Sequence, residues 1–172
     1  PSEVEHGKPF KLDSVAPSIP IADFVATETR FAVLARTQPE RAAELQLALV
    51  RSHAAGMGDP VEPEVVRAMM LLRARSLAMA YSGARPEIVD TQLALLRHGL
   101  TPVVPEHGSL GASGDLAPLS HCALVLVGEG EVRAPDGTPE PARQAMQRAG
   151  IAPLRLRAKE GLALINGTDG ML

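Results

Sequence analysis

The residues with the clearest chemical potential lie in one glycine-rich segment, Gly-Ser-Leu-Gly-Ala-Ser-Gly-Asp at positions 108–115. A phosphate-binding loop would carry Lys and then Ser or Thr after its last glycine. Here Asp115 and Leu116 follow instead, and a carboxylate repels phosphate. A hydrolase nucleophile elbow would need the pattern Gly-x-Ser-x-Gly, and Asp115 stands where its second glycine should be. The segment therefore fits neither a phosphate-binding loop nor a nucleophile elbow.

The same segment can instead condense with itself. If the amide nitrogen of Gly114 attacks the carbonyl carbon of Ala112, a five-membered ring closes, and loss of the Ser113 hydroxyl leaves an exocyclic alkene. Glycine offers the least hindered amide nitrogen, serine supplies the leaving hydroxyl, and alanine keeps the bend small. The product would be an electrophile, which no ordinary side chain provides. An isolated Ala-Ser-Gly triplet is far more often a simple turn, so this interpretation depends on the surrounding sequence.

The surroundings of the triplet carry a resemblance that extends over most of the chain. The sequence VPEHGSLGASGDLAPLSH at 104–121 resembles the signature of the aromatic amino acid ammonia-lyases, which form a methylidene-imidazolone (MIO) group from Ala-Ser-Gly. Further segments are similar to the family in the family's order, at 44–58, 66–83, 123–132 and 159–168. Within the family, the pair Ser52-His53 resembles the branch that acts on histidine.

The resemblance implies a reaction and a set of site residues. Members of the family eliminate ammonia from an amino acid: the MIO group captures the substrate so that the amine can leave, and a base removes a β-proton. For this chain the resemblance implies conversion of L-histidine to trans-urocanate, with MIO as the cofactor and no metal or nucleotide. The implied catalytic residues are Ala112, Ser113, Gly114 and Asp115, the last as an aid to cyclisation. The implied substrate-binding residues are His53 and Asn166.

Several of these residues also have an ordinary interpretation. His53 would share one helical stripe with Leu45 and Leu49, where a histidine commonly serves packing or lies at the surface. Asn166 precedes a glycine and would be a common turn former. Asp115 could cap the following helix through its carboxylate. No histidine of the chain has partners at the spacing of a metal-binding motif.

Two departures from the family's pattern bear on activity. The family carries a Tyr-Gly-x-x-Thr-Gly-Phe-Gly segment whose tyrosine is the base, and the corresponding stretch here, 25–32, begins with Val25. An aliphatic side chain cannot accept a proton. The one tyrosine of the chain, Tyr81, falls at a predicted helix end that resembles a structural part of the family.

The second departure is length, because chains of the family are several-fold longer and form tetramers whose active sites combine residues from several subunits. We therefore expect this chain to be the N-terminal part of such a lyase and to be incomplete as an enzyme on its own. Two alternatives stay open: a non-catalytic module of the same fold, such as an assembly partner, and, more weakly, another MIO lyase or an aminomutase.

The elements that must position these residues are mainly helical. Apolar periodicity, prolines and glycines predict helices over about 37–54, 63–80, 86–99, 118–127, 142–149 and 159–165. Thr37 and Glu40 have the spacing of a capping box for the first of them. A loop is predicted over 101–114, and Asp136-Gly137 predicts a small β-hairpin. The family resemblance implies that these elements form the mainly α, helical N-terminal domain of the MIO ammonia-lyase fold, with an irregular arm at 1–36 and the MIO-bearing domain at 37–172.

Composition narrows the class of protein further. The chain has 172 residues, 45% of them hydrophobic, which is enough for one core. Only 2% are aromatic and the net charge is −3, so neither base stacking nor phosphate neutralisation is favoured and nucleic acid is not an expected partner. The single cysteine excludes an internal disulfide and suits a reducing compartment. No apolar run approaches the roughly 20 residues of a membrane span, so we expect a cytoplasmic protein. The family resemblance implies a homo-oligomer that binds a small amino acid as its substrate.

Overall fold

The structure, a computed structural model, describes residues 33, 36–111 and 114–170. Most of the predicted irregular arm at 1–36, including Val25, lies outside the described residues. So do Ala112 and Ser113.

From residue 38 to residue 170 the described chain forms six helices and five short strands, and residues 33, 36 and 37 are also helical. The helices are α1 Pro39–His53, α2 Pro63–Ala78, α3 Pro86–Arg97, α4 Leu116–Leu126, α5 Ala142–Arg148 and α6 Glu160–Ile165. The strands are β1 Met57–Pro60, β2 Thr101–Pro102, β3 Pro105–His107, β4 Glu131–Arg133 and β5 Pro139–Pro141. Each predicted helix is present and the fold is mainly α, as predicted.

The first three helices begin in the same way. Each has a proline in its first turn, followed by an acidic residue that favours the positive end of the helix dipole. The predicted capping box of α1 is wrong: Gln38 occupies the N-cap without a side-chain bond, and the Thr37 hydroxyl donates to the carbonyl of Val33 at 2.7 Å. Proline geometry and charge therefore define the start of α1.

The segment 101–114, predicted to be a loop, contains two strands. Strand β3 pairs antiparallel with β1, and β2 pairs antiparallel with β4. The predicted hairpin is confirmed as β4–β5, with Gly137 at a φ of +86° in its turn. Strand β2 extends it to a three-stranded sheet in the order β2-β4-β5. Strands of two or three residues show no alternating pattern, which is why the sequence did not reveal them.

The core forms around α4, which packs against α1, α3, α6 and β2. Its apolar residues are buried on several sides. The inner face of α2 is formed by five buried residues: Val66, Met69, Met70, Arg73 and Leu77. The predicted stripe of α1 is wrong at Leu45, which is half exposed, whereas Val50 is fully buried. Helix α4 thus joins the N-terminal helices to α6.

Helix α6 is attached to the start of α3 by a buried ion pair. Glu160 is 2% exposed, and Arg85 donates to its two carboxylate oxygens at 2.6 and 2.9 Å. The amide of Arg157 donates to the same carboxylate at 2.7 Å. Burial alone would raise the pKa of Glu160, but these hydrogen bonds outweigh it and hold the pKa below its ordinary value of 4.5.

Glu160→Gln should therefore destabilise the chain in a pH-dependent way. We expect a loss of about 1–3 kcal/mol at pH 7, the usual contribution of hydrogen bonds to a charged group. The folded pKa is lowered, so the contribution is complete above 4.5 and disappears as the pH falls through the folded pKa. Urea unfolding from pH 7 to pH 3 measures this. A difference between wild type and variant that is the same at every pH would contradict it.

Among the described residues, no helix is both long enough and apolar enough to span a bilayer.

Candidate active site

Asp115 joins the glycine-rich loop, residues 108–115, to the turn that follows α6, residues 166–170. The residue is fully buried. Its amide donates to the carbonyl of Gly167 at 2.7 Å. Its carboxylate accepts from the amide of Gly170 at 2.7 Å and from the hydroxyl of Ser109 at 2.5 Å. These bonds fix the downstream end of the loop against the 166–170 turn.

The capping interpretation of Asp115 is wrong. The residue does occupy the N-cap position of α4, and its carbonyl accepts from the amide of Leu119 at 3.0 Å. Its carboxylate, however, makes no capping bond to the helix. Both oxygens are used by Ser109 and Gly170, so the side chain serves the loop and not the helix. Its role in cyclisation stays a prediction.

Gly114 occupies a position that only glycine suits. Its φ is +125°, in the region that L side chains rarely adopt. A Cβ atom there would lie 3.0 Å from the carbonyl oxygen of Gly167 and 3.3 Å from the Leu116 side chain. The fold therefore requires a glycine at position 114, the residue whose backbone nitrogen would close the ring. Gly114, the member of the triplet that the structure describes, therefore fits a group derived from Ala-Ser-Gly.

Arg73 holds the 166–170 turn from the side of α2. Its guanidinium is buried and donates to the carboxylate of Asp169 at 3.1 Å, to the carbonyl of Asn166 at 3.0 Å and to the carbonyl of Ala163. Asp169 also accepts from the hydroxyl of Ser76 at 3.3 Å. The sequence pattern alone indicated no functional role for Arg73. A cation on an apolar face was the available signal, because buried charges need partners.

Asn166 ends α6 and borders a cleft of about 390 Å³. Its side chain is exposed, while its backbone carbonyl is held by Arg73. The cleft is lined by Gln46, Leu49, Arg73, Ser82, Lys159, Leu162, Ala163 and Asn166. Asn166 is the C-cap of α6, at the start of the 166–170 turn, which agrees with the ordinary interpretation as a turn former. Contact with a substrate stays a prediction.

His53 is the last residue of α1 and is half-buried. Its Nδ1 lies 2.9 Å from the carbonyl oxygen of Leu49 and 3.0 Å from the hydroxyl of Ser52. With the proton on Nδ1 the ring donates to Leu49, and Nε2 is left as an acceptor. Helix α1 packs against α6, Asn166 directly follows α6, and Leu49 lines the cleft beside it. The two predicted substrate-binding residues thus lie at the C-terminal ends of two helices that touch.

The chain after His53 packs on the start of the glycine-rich loop. A Cβ atom on Gly108 would lie 3.3 Å from the Cα of Gly56. The amide of Gly56 donates to Nε2 of His121 at 3.2 Å, and burial lowers the pKa of His121, which keeps this nitrogen available as an acceptor. The end of α1 and the loop are therefore held together through α4.

No candidate metal centre occurs among residues 33, 36–111 and 114–170, in the sense of three or more His, Cys, Asp or Glu side chains grouped together. A larger cleft of about 1010 Å³ lies between the start of α1, α3 and the segment before α6, and none of the predicted site residues lines it. We therefore locate the candidate site from the contacts of Asp115 and Arg73 and not from the size of a cavity.

Comparison with known families identifies the class of protein to which this helical fold and its glycine-rich loop belong. The family model described as aromatic amino acid lyase matches residues 29–172, most of the chain. The chain belongs to the aromatic amino acid lyase family.

The most similar relatives include histidine ammonia-lyases of Streptomyces. The protein from Streptomyces griseus is 62% identical over 133 residues, covering 77% of this chain and 26% of the relative. The protein from Streptomyces coelicolor is 58% identical over 146 residues, covering 84% of this chain and 28% of the relative. The chain thus spans about a quarter of the length of the curated relatives that it matches.

Solved structures share the fold. The histidine ammonia-lyase from Trypanosoma cruzi superposes with a TM-score of 0.75 at 36% identity, covering 88% of this chain and 32% of that chain. The phenylalanine aminomutase of Pantoea agglomerans superposes with a TM-score of 0.72 at 39% identity, covering 77% of this chain and 25% of that chain.

Proposed function

We propose that this chain is the part of an ammonia-lyase that forms the MIO group, with L-histidine as the substrate and trans-urocanate as the product. The observation that carries the proposal is the setting of Gly114 and Asp115, where the fold requires a glycine and anchors the residue after it. The names of the relatives support histidine as the substrate, as does the pair Ser52-His53. The helical domain at 37–172 would carry the group.

Ring closure needs no reagent beyond the chain itself. The Gly114 nitrogen forms a bond to the carbonyl carbon of Ala112, and the carbonyl oxygen leaves as water with the amide hydrogens of Gly114 and Ser113. A second water leaves with the Ser113 hydroxyl and the hydrogen on its Cα, which creates the alkene. No atom is oxidised or reduced overall. The fold contributes by holding Gly114 and Asp115 in place, because this positioning lowers the entropy lost when the reacting atoms come together.

Once formed, the group would supply an electrophile to which the substrate amino group adds. The chain's other residues would bind and orient the substrate. His53 would present Nε2 as a hydrogen-bond acceptor, and Asn166 would offer its exposed amide at the cleft. Position 25 supplies no base, since valine cannot accept a proton. We propose that the assembled enzyme is a cytoplasmic homo-oligomer, tetrameric as in the family.

Mass spectrometry tests the proposal directly. We expect the purified chain to be lighter than its sequence by two water molecules, with the deficit mapped to the peptide that contains Ser113. We also expect little or no urocanate from the chain alone, because position 25 offers no base. An unmodified mass would overturn the proposal, and robust turnover would show that a base other than residue 25 acts.

Val25 favours a second candidate, a helical module of the same fold that performs no chemistry. An unmodified Ser113 peptide in a chain that unfolds cooperatively would support this module.

A further inference from the structure

Ser109 is exposed, yet its hydroxyl makes two bonds inside the glycine-rich loop. It donates to the carboxylate of Asp115 at 2.5 Å and accepts from the amide of Gly111 at 3.3 Å. The first bond crosses the loop from one side of the Ala-Ser-Gly triplet to the other. The second fixes the residue that directly precedes the triplet. One hydroxyl therefore connects the two ends of the segment that would cyclise.

The two ends of the loop are held very differently by the rest of the fold. The downstream end is buried and bonded to the 166–170 turn through Asp115. The upstream end is open: Leu110 is 88% exposed, and a Cβ on Gly111 would meet nothing within 4 Å. In the described part of the chain, the hydrogen bond that Gly111 makes is the one to Ser109. The Ser109 hydroxyl is thus what ties the open end to the anchored one.

Ring closure joins an atom of residue 112 to an atom of residue 114, so it depends on how tightly the segment between Gly111 and Asp115 is bent. Gly111 has a φ of +67° and Gly114 a φ of +125°, so the glycines on either side of positions 112 and 113 both have left-handed backbone conformations. A bond that holds both ends lowers the entropy lost when the reacting atoms meet.

We infer that Ser109 is a positioning residue for cyclisation, which acts through Asp115 and Gly111 and transfers no atom itself. This inference rests on the proposed function. According to this inference, the hydroxyl of an exposed serine outside the triplet increases the rate at which the two waters are lost.

Cell-free synthesis of the chain, sampled over time by mass spectrometry, tests the role. We expect Ser109→Ala to slow the loss of the two waters at least tenfold, and Ser109→Thr, which keeps the hydroxyl, to restore most of the rate. Ser120→Ala is the matched control, since that hydroxyl donates to the carbonyl of Leu116 within α4. Thermal unfolding of each variant by circular dichroism gives the folded fraction.

The outcomes separate the inference from the proposed function. A wild-type chain that loses no water overturns the proposed function and this role together. A wild-type chain that loses two waters at the same rate as Ser109→Ala overturns the role alone. The role is also overturned if the rate of water loss in Ser109→Ala falls only in proportion to the folded fraction of that variant. A serine that merely stabilises the fold would give the same result.

Discussion

Replacing Ser113 with alanine should abolish the electrophile, and with it all lyase activity of any assembly that contains this chain. Alanine has no hydroxyl on its Cβ, so the second water cannot leave and no alkene can form. We expect the two-water deficit to disappear and labelling by a small thiol, which adds to such an alkene, to fall to background. Intact mass and labelling with peptide mapping measure both.

Ser120→Ala again provides the control for this experiment. It removes a serine hydroxyl seven residues further along, where the hydroxyl only donates to Leu116 within α4 at 2.6 Å. This variant should keep the full mass deficit and the full labelling. If Ser113→Ala still lost two waters or still bound the thiol at that peptide, the electrophile would have another origin and the proposed ring closure would be wrong.

The helices could be predicted because their boundaries are marked by local chemistry. Prolines open α1, α2 and α3, and each apolar period is read from neighbouring residues. Helix α4 shows the limit of this rule. It was predicted to begin near Pro118 but begins at Leu116. A proline in the first turn costs no hydrogen bond, since the first four amides of a helix have no partner within it.

The site was only partly predictable, for a different physical reason. The Ala-Ser-Gly triplet is contiguous, so its chemistry can be read from the order of residues. The anchoring of Asp115 depends on Gly170, 55 positions away, and that of Arg73 on Asp169, 96 positions away. Such pairs form only after the chain has folded back, and no local pattern identifies which buried charge meets which partner.

Arg73→Met should have the largest effect on stability. The substitution keeps an apolar stem of similar length but leaves the nearly buried carboxylate of Asp169 without its cation and two carbonyls without their donor. Removing one member of a buried ion pair typically costs about 3–5 kcal/mol, because the other charge stays buried. Urea denaturation followed by circular dichroism measures the change in the free energy of unfolding.

Three further variants, Arg51→Met, Asp169→Leu and the double variant Arg73→Met with Asp169→Leu, show whether the buried charge is the cause. Arg51→Met removes an arginine from a pair with Glu129 whose arginine side chain is 56% exposed, and water can solvate the carboxylate left behind. Its effect should be far smaller. Adding Asp169→Leu to Arg73→Met removes the stranded charge and should recover part of the lost stability, as a coupled pair requires. If the double variant were as unstable as the sum of the two single variants, the ion pair would not be what holds the 166–170 turn in place beneath Asp115.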